Sequence, residues 1–479
     1  MLWLSLYFPH LPLEVYARSA STAVPLVVYT HQGARQWVLA RNRAAAAAGI
    51  SPGMALGAAA SLSRQLQTRP RDEAAEEAAL AGVAAWAGQF TPVISLQPPD
   101  NLLLEIEASL NLFGGLKALR QRLQQGLEKD LGYRIRLAAA PTPLGARLLS
   151  RIGFDQALTD LHALRSILHK LPLAYLELDQ KTLDALQGMG LRELGDCLSL
   201  PRSSLAKRLG PGFMDYLDRV LGAKADPRLP YHPPARFHRQ LLLPAEVDDT
   251  EALLFAAQRL INELCGFLLS RGSGVQTLGF HLQHTEGPDS RLELGLVTPS
   301  REAGHLVSLL RERLERFELP APVIAVELEA NQLLTLDPIN QDLLAEAHPE
   351  HQDWPQLVER LQARLGADAV KGLAVHPDHR PERAWQACPP GEEGPSVLPA
   401  PRPLWLLDQP EPLAINNHRP QLDGELSLVQ GPERIESGWW DGGDIARDYF
   451  VAENPHQARF WIYRERRNPR CWYLHGVFA

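Results

Sequence analysis

The stretch QLLLPAEVDDTEALLFAAQRLINELCGFLLSRGSGVQTLGFHLQHT, residues 240–285, decides the fold. Gln240–Ala245 is an apolar run of strand length, Asp249–Ser270 carries apolar residues at helical spacing, and Val275–Thr285 reads as a strand again. After a break at Glu286-Gly287-Pro288 come a strand at Leu292–Val297, a helix at Arg301–Phe317 and a strand at Val323–Leu333. The second helix sets Leu306, Leu309, Leu310, Leu314 and Phe317 on one face. The order βαββαβ over 236–334 predicts a four-stranded sheet covered by two helices.

Working outward, 479 residues at ~150 per domain exclude a single core and predict three or four domains. Residues 1–165 mix short strands (Met1–Phe8, Pro25–Tyr29, Asn101–Ile106, Arg134–Ala139) with helical stretches at Asp72–Gly88 and Leu116–Leu131, an α+β pattern. Over 166–232 strand signals give way to short helices punctuated by glycines. Residues 335–387 form a connector with a helix near Trp354–Gly366, and 388–403 holds six prolines, the mark of a linker. Residues 404–479 close the chain. Ten aromatics crowd the last 49 residues, about three times the chain-wide 7%, and predict a small β region with an aromatic core.

A net charge of −8 excludes a uniformly basic nucleic-acid coat and leaves room for a local one. Cys197, Cys265, Cys388 and Cys471 lie far apart without a CxxC pair, which fits a reducing cytoplasm and no zinc ribbon. The Leu2–Leu6 run is too short for a secretory signal, and no stretch reads as the ~20 apolar residues of a membrane span. A cytoplasmic protein is expected.

Asp184–Asp196, DALQGMGLRELGD, reads as helix, Gly-Met-Gly turn, helix. In such a hairpin Gly188 and Gly190 let the backbone approach a phosphate, N–H groups opening the second helix meet its oxygens, and Arg192 stands beside them. A plain helix connection is the competing reading. Residues 201–240 hold eight Lys/Arg, among them Arg202, Lys207, Arg208, Arg236 and Arg239, against three Asp. This is a DNA-binding surface or a solvated charged face.

This order of parts resembles palm-fingers, thumb and a separate little finger of the Y-family translesion DNA polymerases. Stretches spanning nearly the whole chain carry the likeness: PDNLLLEIEASLNLFGG (99–115), LGARLLSRIG (144–153), GLRELGDCLSLPRSSLAKRLG (190–210), DHRPERAW (378–385) and GPERIESGWWDG (431–442). The last two are specific to the ImuB-like branch of that family, non-catalytic homologues from bacterial mutagenesis cassettes.

The resemblance implies two-metal chemistry that the matching positions do not support. Leu4 and Leu6 fall where the family carries aspartates, and Asp100-Asn101 keeps one carboxylate of the second acidic motif. No catalytic residue, metal or cofactor is therefore expected. A divergent polymerase using Asp100, Glu105 and Glu107 is the alternative, and a DNA-binding structural protein is a third reading. Asn340, Gln341, Asp342, Leu343 and Leu344 resemble the pentapeptide that docks on the β sliding clamp, with two apolar anchors for a hydrophobic cleft. Trp439 and Trp440, at a turn, are expected to serve a partner surface. The branch implies primer–template DNA, the clamp, the RecA-like ImuA and an error-prone C-family polymerase as partners in SOS-induced translesion synthesis.

Overall fold

The computed structural model describes residues 1–17, 24–336, 350–392, 402–467 and 471–478. The chain divides into two compact units, Met1–Arg364 and Leu365–Ala479.

The first unit is built on an antiparallel sheet in which strand Trp3–Tyr7 lies between Asn101–Glu105 and Arg136–Ala140, with Ile94–Gln97 at the edge. The central strand is buried on both faces, so its apolar residues run nearly unbroken. Leu4, Leu6, Leu102 and Leu104 pack with residues of helices Glu73–Ala87 and Leu116–Gln125, such as Val83 and Leu119. Trp3, Leu103, Ala138 and Ala140 pack beneath helix Pro143–Ile152. That helix has proline in its first turn and Thr142 as N-cap, whose hydroxyl accepts from Gly145 N at 3.1 Å and donates to the Val220 carbonyl at 3.0 Å. The short helices between Leu161 and Val220 share this core through Leu164, Leu186, Leu194 and Leu217.

A second, three-stranded sheet (Arg35–Arg41, Leu26–Gln32, Gln67–Pro70) closes on helices Arg43–Ala47 and Leu56–Leu62 around Val27, Val38, Ala45, Ile50 and Ala59. The strands at 35–41 and 67–70 are additions to the sequence reading.

The βαββαβ order is present: strands Phe237–Val247, Ser273–His284, Ser290–Ser300 and Val323–Ala330, with helices Thr250–Ser270 and Ala303–Leu314. The expected last strand is two pieces, because Leu333–Thr335 pairs separately with Ser273–Val275. Two expectations need correction. Thr250–Ser270 is, by length and composition, apolar enough to cross a membrane, and 61% of its apolar window is buried inside the fold. Nor does this element stand apart from the first sheet. Its helix packs on Glu73–Ala87, with the Trp86 indole seated where a Cβ at Gly126 or Gly266 would have to lie. Gly82 likewise leaves room for the Glu263 carboxylate.

In the second unit, strands Trp405–Pro412, Trp472–Val477, Arg459–Glu465, Ile445–Glu453 and Ser427–Ser437 form one antiparallel sheet in that order. One face buries Leu426, Phe460, Ile462 and Trp472; the other buries Ile435, Tyr449, Trp461 and Tyr463. Tyr449 stacks on Trp461 at 4.1 Å, and its hydroxyl is hydrogen-bonded to His475 Nδ1 at 2.7 Å. Most of the C-terminal aromatics are core, as the sequence suggests. A hairpin of Gly372–Val375 with Trp385–Cys388 precedes the sheet.

Candidate functional site

Strand parity decides what the first sheet can do. Tyr7 lies opposite Asn101 and Ser5 opposite Leu103, so Tyr7, Ser5 and Asn101 share one face. Leu4 and Leu6 point the other way, into the core under the helices. The positions compared with family aspartates therefore do not meet Asn101. Ser5 and Tyr7, one residue along, do.

Asn101 is fully buried and is used up in neutral hydrogen bonds. Its amide nitrogen donates to Ser5 Oγ at 2.9 Å, and Ser5 Oγ lies 2.8 Å from Ser150 Oγ on helix Pro143–Ile152. Beside this cluster the Asp100 carboxylate accepts from Arg151 Nη2 at 2.7 Å, and the Arg151 guanidinium lies over the Tyr7 ring at 5.2 Å. Glu177 pairs with both Arg151 and Arg147, at 2.9 and 3.0 Å. Gln97 accepts from Arg147 and Arg228. Burial pushes the Asp100 carboxyl above its ordinary range, with Arg151 and Arg147 pulling the other way. Burial lowers Arg147, and the neighbouring Arg151 adds to this.

These residues do not fit a two-metal centre, because the Asp100 and Glu177 carboxylates are both already paired with Arg151 and Asn101 is an amide held by hydroxyls. Asp100 immediately precedes the five-residue strand Asn101–Glu105, so five steps at about 3.3 Å per residue set it roughly 17 Å from Glu105. Glu107 pairs with the Met1 amine at 2.5 Å. Asp100, Glu105 and Glu107 therefore do not converge. Among the described residues no group of three or more His, Cys, Asp or Glu could hold a metal ion.

The glycine hairpin joins helix Gln180–Gly188 to helix Leu194–Ser199, with Gly190 at φ +81°. Its opening amides have an internal acceptor: Arg192 N and Glu193 N both donate to Asp196 Oδ2, at 2.8 and 2.9 Å. These bonds hold the exposed Asp196 carboxyl below its ordinary range. A phosphate here would compete with that carboxylate, so side chains must supply the attraction. Arg202 pairs with Asp218, and Arg239 with the buried Glu263 at 3.0 Å. Arg192, Lys207, Arg208 and Arg236 are exposed; Arg192 bears on the Asp196 carboxylate through its charge, and Lys207, Arg208 and Arg236 make no ion pair among the described residues. Arg239 thus belongs to the packed seam between the four-stranded first sheet and the βαββαβ element, which sequence spacing did not reveal.

Asn340–Leu344 lies outside the described residues. In the second unit Trp439 and Trp440 are 79% and 59% exposed.

Residues 14–151 match the impB/mucB/samB family. The chain as a whole is similar to ImuB proteins. It is 27% identical over 462 residues to Protein ImuB of Caulobacter vibrioides strain NA1000 / CB15N, covering 90% of this chain and 100% of the relative. Protein ImuB of strain ATCC 19089 / CIP 103742 / CB 15 gives the same values. Among solved structures, DinB from Sulfolobus solfataricus is 17% identical with a TM-score of 0.38, over 70% of this chain and 100% of that one. The insertion ternary complex of Dbh DNA polymerase is 16% identical with a TM-score of 0.40 at the same coverage.

Proposed function

We propose that this chain is a non-catalytic, cytoplasmic adaptor in SOS-induced error-prone translesion synthesis. It binds primer–template DNA and the β sliding clamp, and it recruits ImuA and an error-prone C-family polymerase. The observation that carries the reading is the Ser5–Asn101–Ser150 cluster with its neighbouring Asp100–Arg151 pair. Polar groups that would have to face metal ions and a triphosphate are satisfied by one another instead.

DNA contact falls to the exposed cations Arg192, Lys207, Arg208 and Arg236, beside Gly188, Gly190 and Arg202. Replacing Lys207 and Arg208 by glutamate lowers DNA affinity and flattens its salt dependence, since two phosphate contacts are lost. A slope equal to the wild type would assign this face to solvent. The pentapeptide Asn340–Leu344 docks on the clamp through Leu343 and Leu344. Converting both to alanine weakens clamp binding by about tenfold or more in a titration of the full chain, and unchanged affinity removes the assignment. The C-terminal region, with Trp439 and Trp440, engages ImuA and the polymerase.

A further inference from the structure

Helix Glu350–Leu365 docks on the βαββαβ element with a carboxylate inside and large apolar side chains outside. The Glu359 side chain, 2% exposed, accepts from Val297 N at 2.6 Å and is hydrogen-bonded to Nε2 of His305, itself 7% exposed. Val358 is buried beside it, and Ala363 packs on the leucine core of that element. On the other side of the helix Trp354, Leu357 and Leu361 are 65%, 47% and 37% exposed. At about 100° per residue the three fall within roughly 60° of arc, which makes them a single stripe.

A helix on a protein surface ordinarily turns such a stripe inward. Here the buried pair sets the orientation: rolling the helix to bury the stripe would pull Glu359 off His305 and leave the Val297 amide unpaired. The stripe therefore faces water as a ridge of anchors at i, i+3 and i+7, the spacing with which a helix enters an apolar groove. What covers it follows from its place in the chain. The pentapeptide Asn340–Leu344 ends ten residues before Trp354, at most about 36 Å of extended chain. A clamp held by Leu343 and Leu344 is thereby kept beside the ridge, where even a weak second contact forms as an intramolecular step and adds to the first.

We infer that Trp354, Leu357 and Leu361 form a second contact with the β sliding clamp, taken by the same clamp that holds the pentapeptide, with Glu359 and His305 as positioning residues. This rests on the clamp reading above and adds a second surface to it. The two contacts divide the work: the pentapeptide anchors the clamp, and the ridge fixes how the clamp sits against the first unit.

The test is a titration of the full chain with purified clamp. Trp354→Ala, and Leu357→Ala combined with Leu361→Ala, each weaken binding by about fivefold or more, and Trp354→Phe retains it. Thermal unfolding of these variants stays at the wild-type temperature, because the side chains removed are exposed. Glu359→Ala, which keeps the ridge residues, weakens the clamp several-fold and speeds amide exchange at Val297 and along 354–364. Wild-type clamp affinity in the ridge variants, beside a loss in Leu343→Ala with Leu344→Ala, overturns the second contact and leaves the pentapeptide reading standing. A wild-type chain that does not bind the clamp overturns both. Self-association of the wild type that Trp354→Ala abolishes assigns the ridge to a second copy and overturns the clamp as its occupant. Unchanged exchange in Glu359→Ala overturns the positioning role.

Discussion

Asn101 shows how far one residue can carry a functional argument. Its identity is legible in the sequence, where an amide follows Asp100. What surrounds it is not, because an ungapped pairing with the family selects Leu4 and Leu6, while the pleat of strand Trp3–Tyr7 turns Ser5 and Tyr7 toward it. Ser150 joins from a helix 49 positions away, a contact no local pattern announces. The cluster predicts a cost for restoring the acid. Asn101→Asp removes a donor and places a carboxylate in a fully buried site, at about 2–4 kcal/mol. Thermal unfolding of the first unit should move down by several degrees, and DNA synthesis should not appear. An unshifted transition would mean that the cluster is not the closed hydrogen-bonded core described above.

Among elements, legibility follows the strength of apolar periodicity. Thr250–Ser270 and Ala303–Leu314 were readable because each buries a long leucine-rich face. Strands Arg35–Arg41 and Gln67–Pro70 were not, since they are mostly exposed or half-buried and carry arginine, glutamine and proline. The Gly-Met-Gly hairpin was found, but not the carboxylate of Asp196 that takes its amides, because that bond depends on backbone direction. The C-terminal sheet gives a pH prediction of its own. Burial pushes the His475 imidazole from 6.5 down to about 4. Between those values the unfolded chain binds a proton that the folded sheet refuses, so stability falls as pH drops through the window, by up to about 3 kcal/mol. The transition of the second unit should fall in temperature from pH 6.5 to pH 4, and His475→Gln should flatten that dependence. Equal pH profiles would assign the acid sensitivity elsewhere.

For the whole molecule, the decisive feature of the first unit is that its four-stranded first sheet and the βαββαβ element are fastened together. Trp86 sits against Gly126 and Gly266, and Arg239 reaches Glu263 beside Gly82. Sequence spacing marked the βαββαβ element and its boundaries but not this seam, because glycines that admit a partner's side chain look like any others until the partner is in place. It also marked the DHRPERAW and GPERIESGWWDG motifs without revealing that they close on Arg380, which donates to both Asp378 and Asp441. The central claim is that this frame holds DNA and partners without making phosphodiester bonds. Primer extension tests it most directly: purified chain, undamaged primer–template, four dNTPs and Mg²⁺ or Mn²⁺, with DNA binding confirmed in the same tube and a variant carrying Asp100, Glu105 and Glu107 as alanine alongside. The account predicts bound DNA and no extended primer with either metal. Extension by the wild type that disappears in the triple variant would contradict it and make this chain a polymerase.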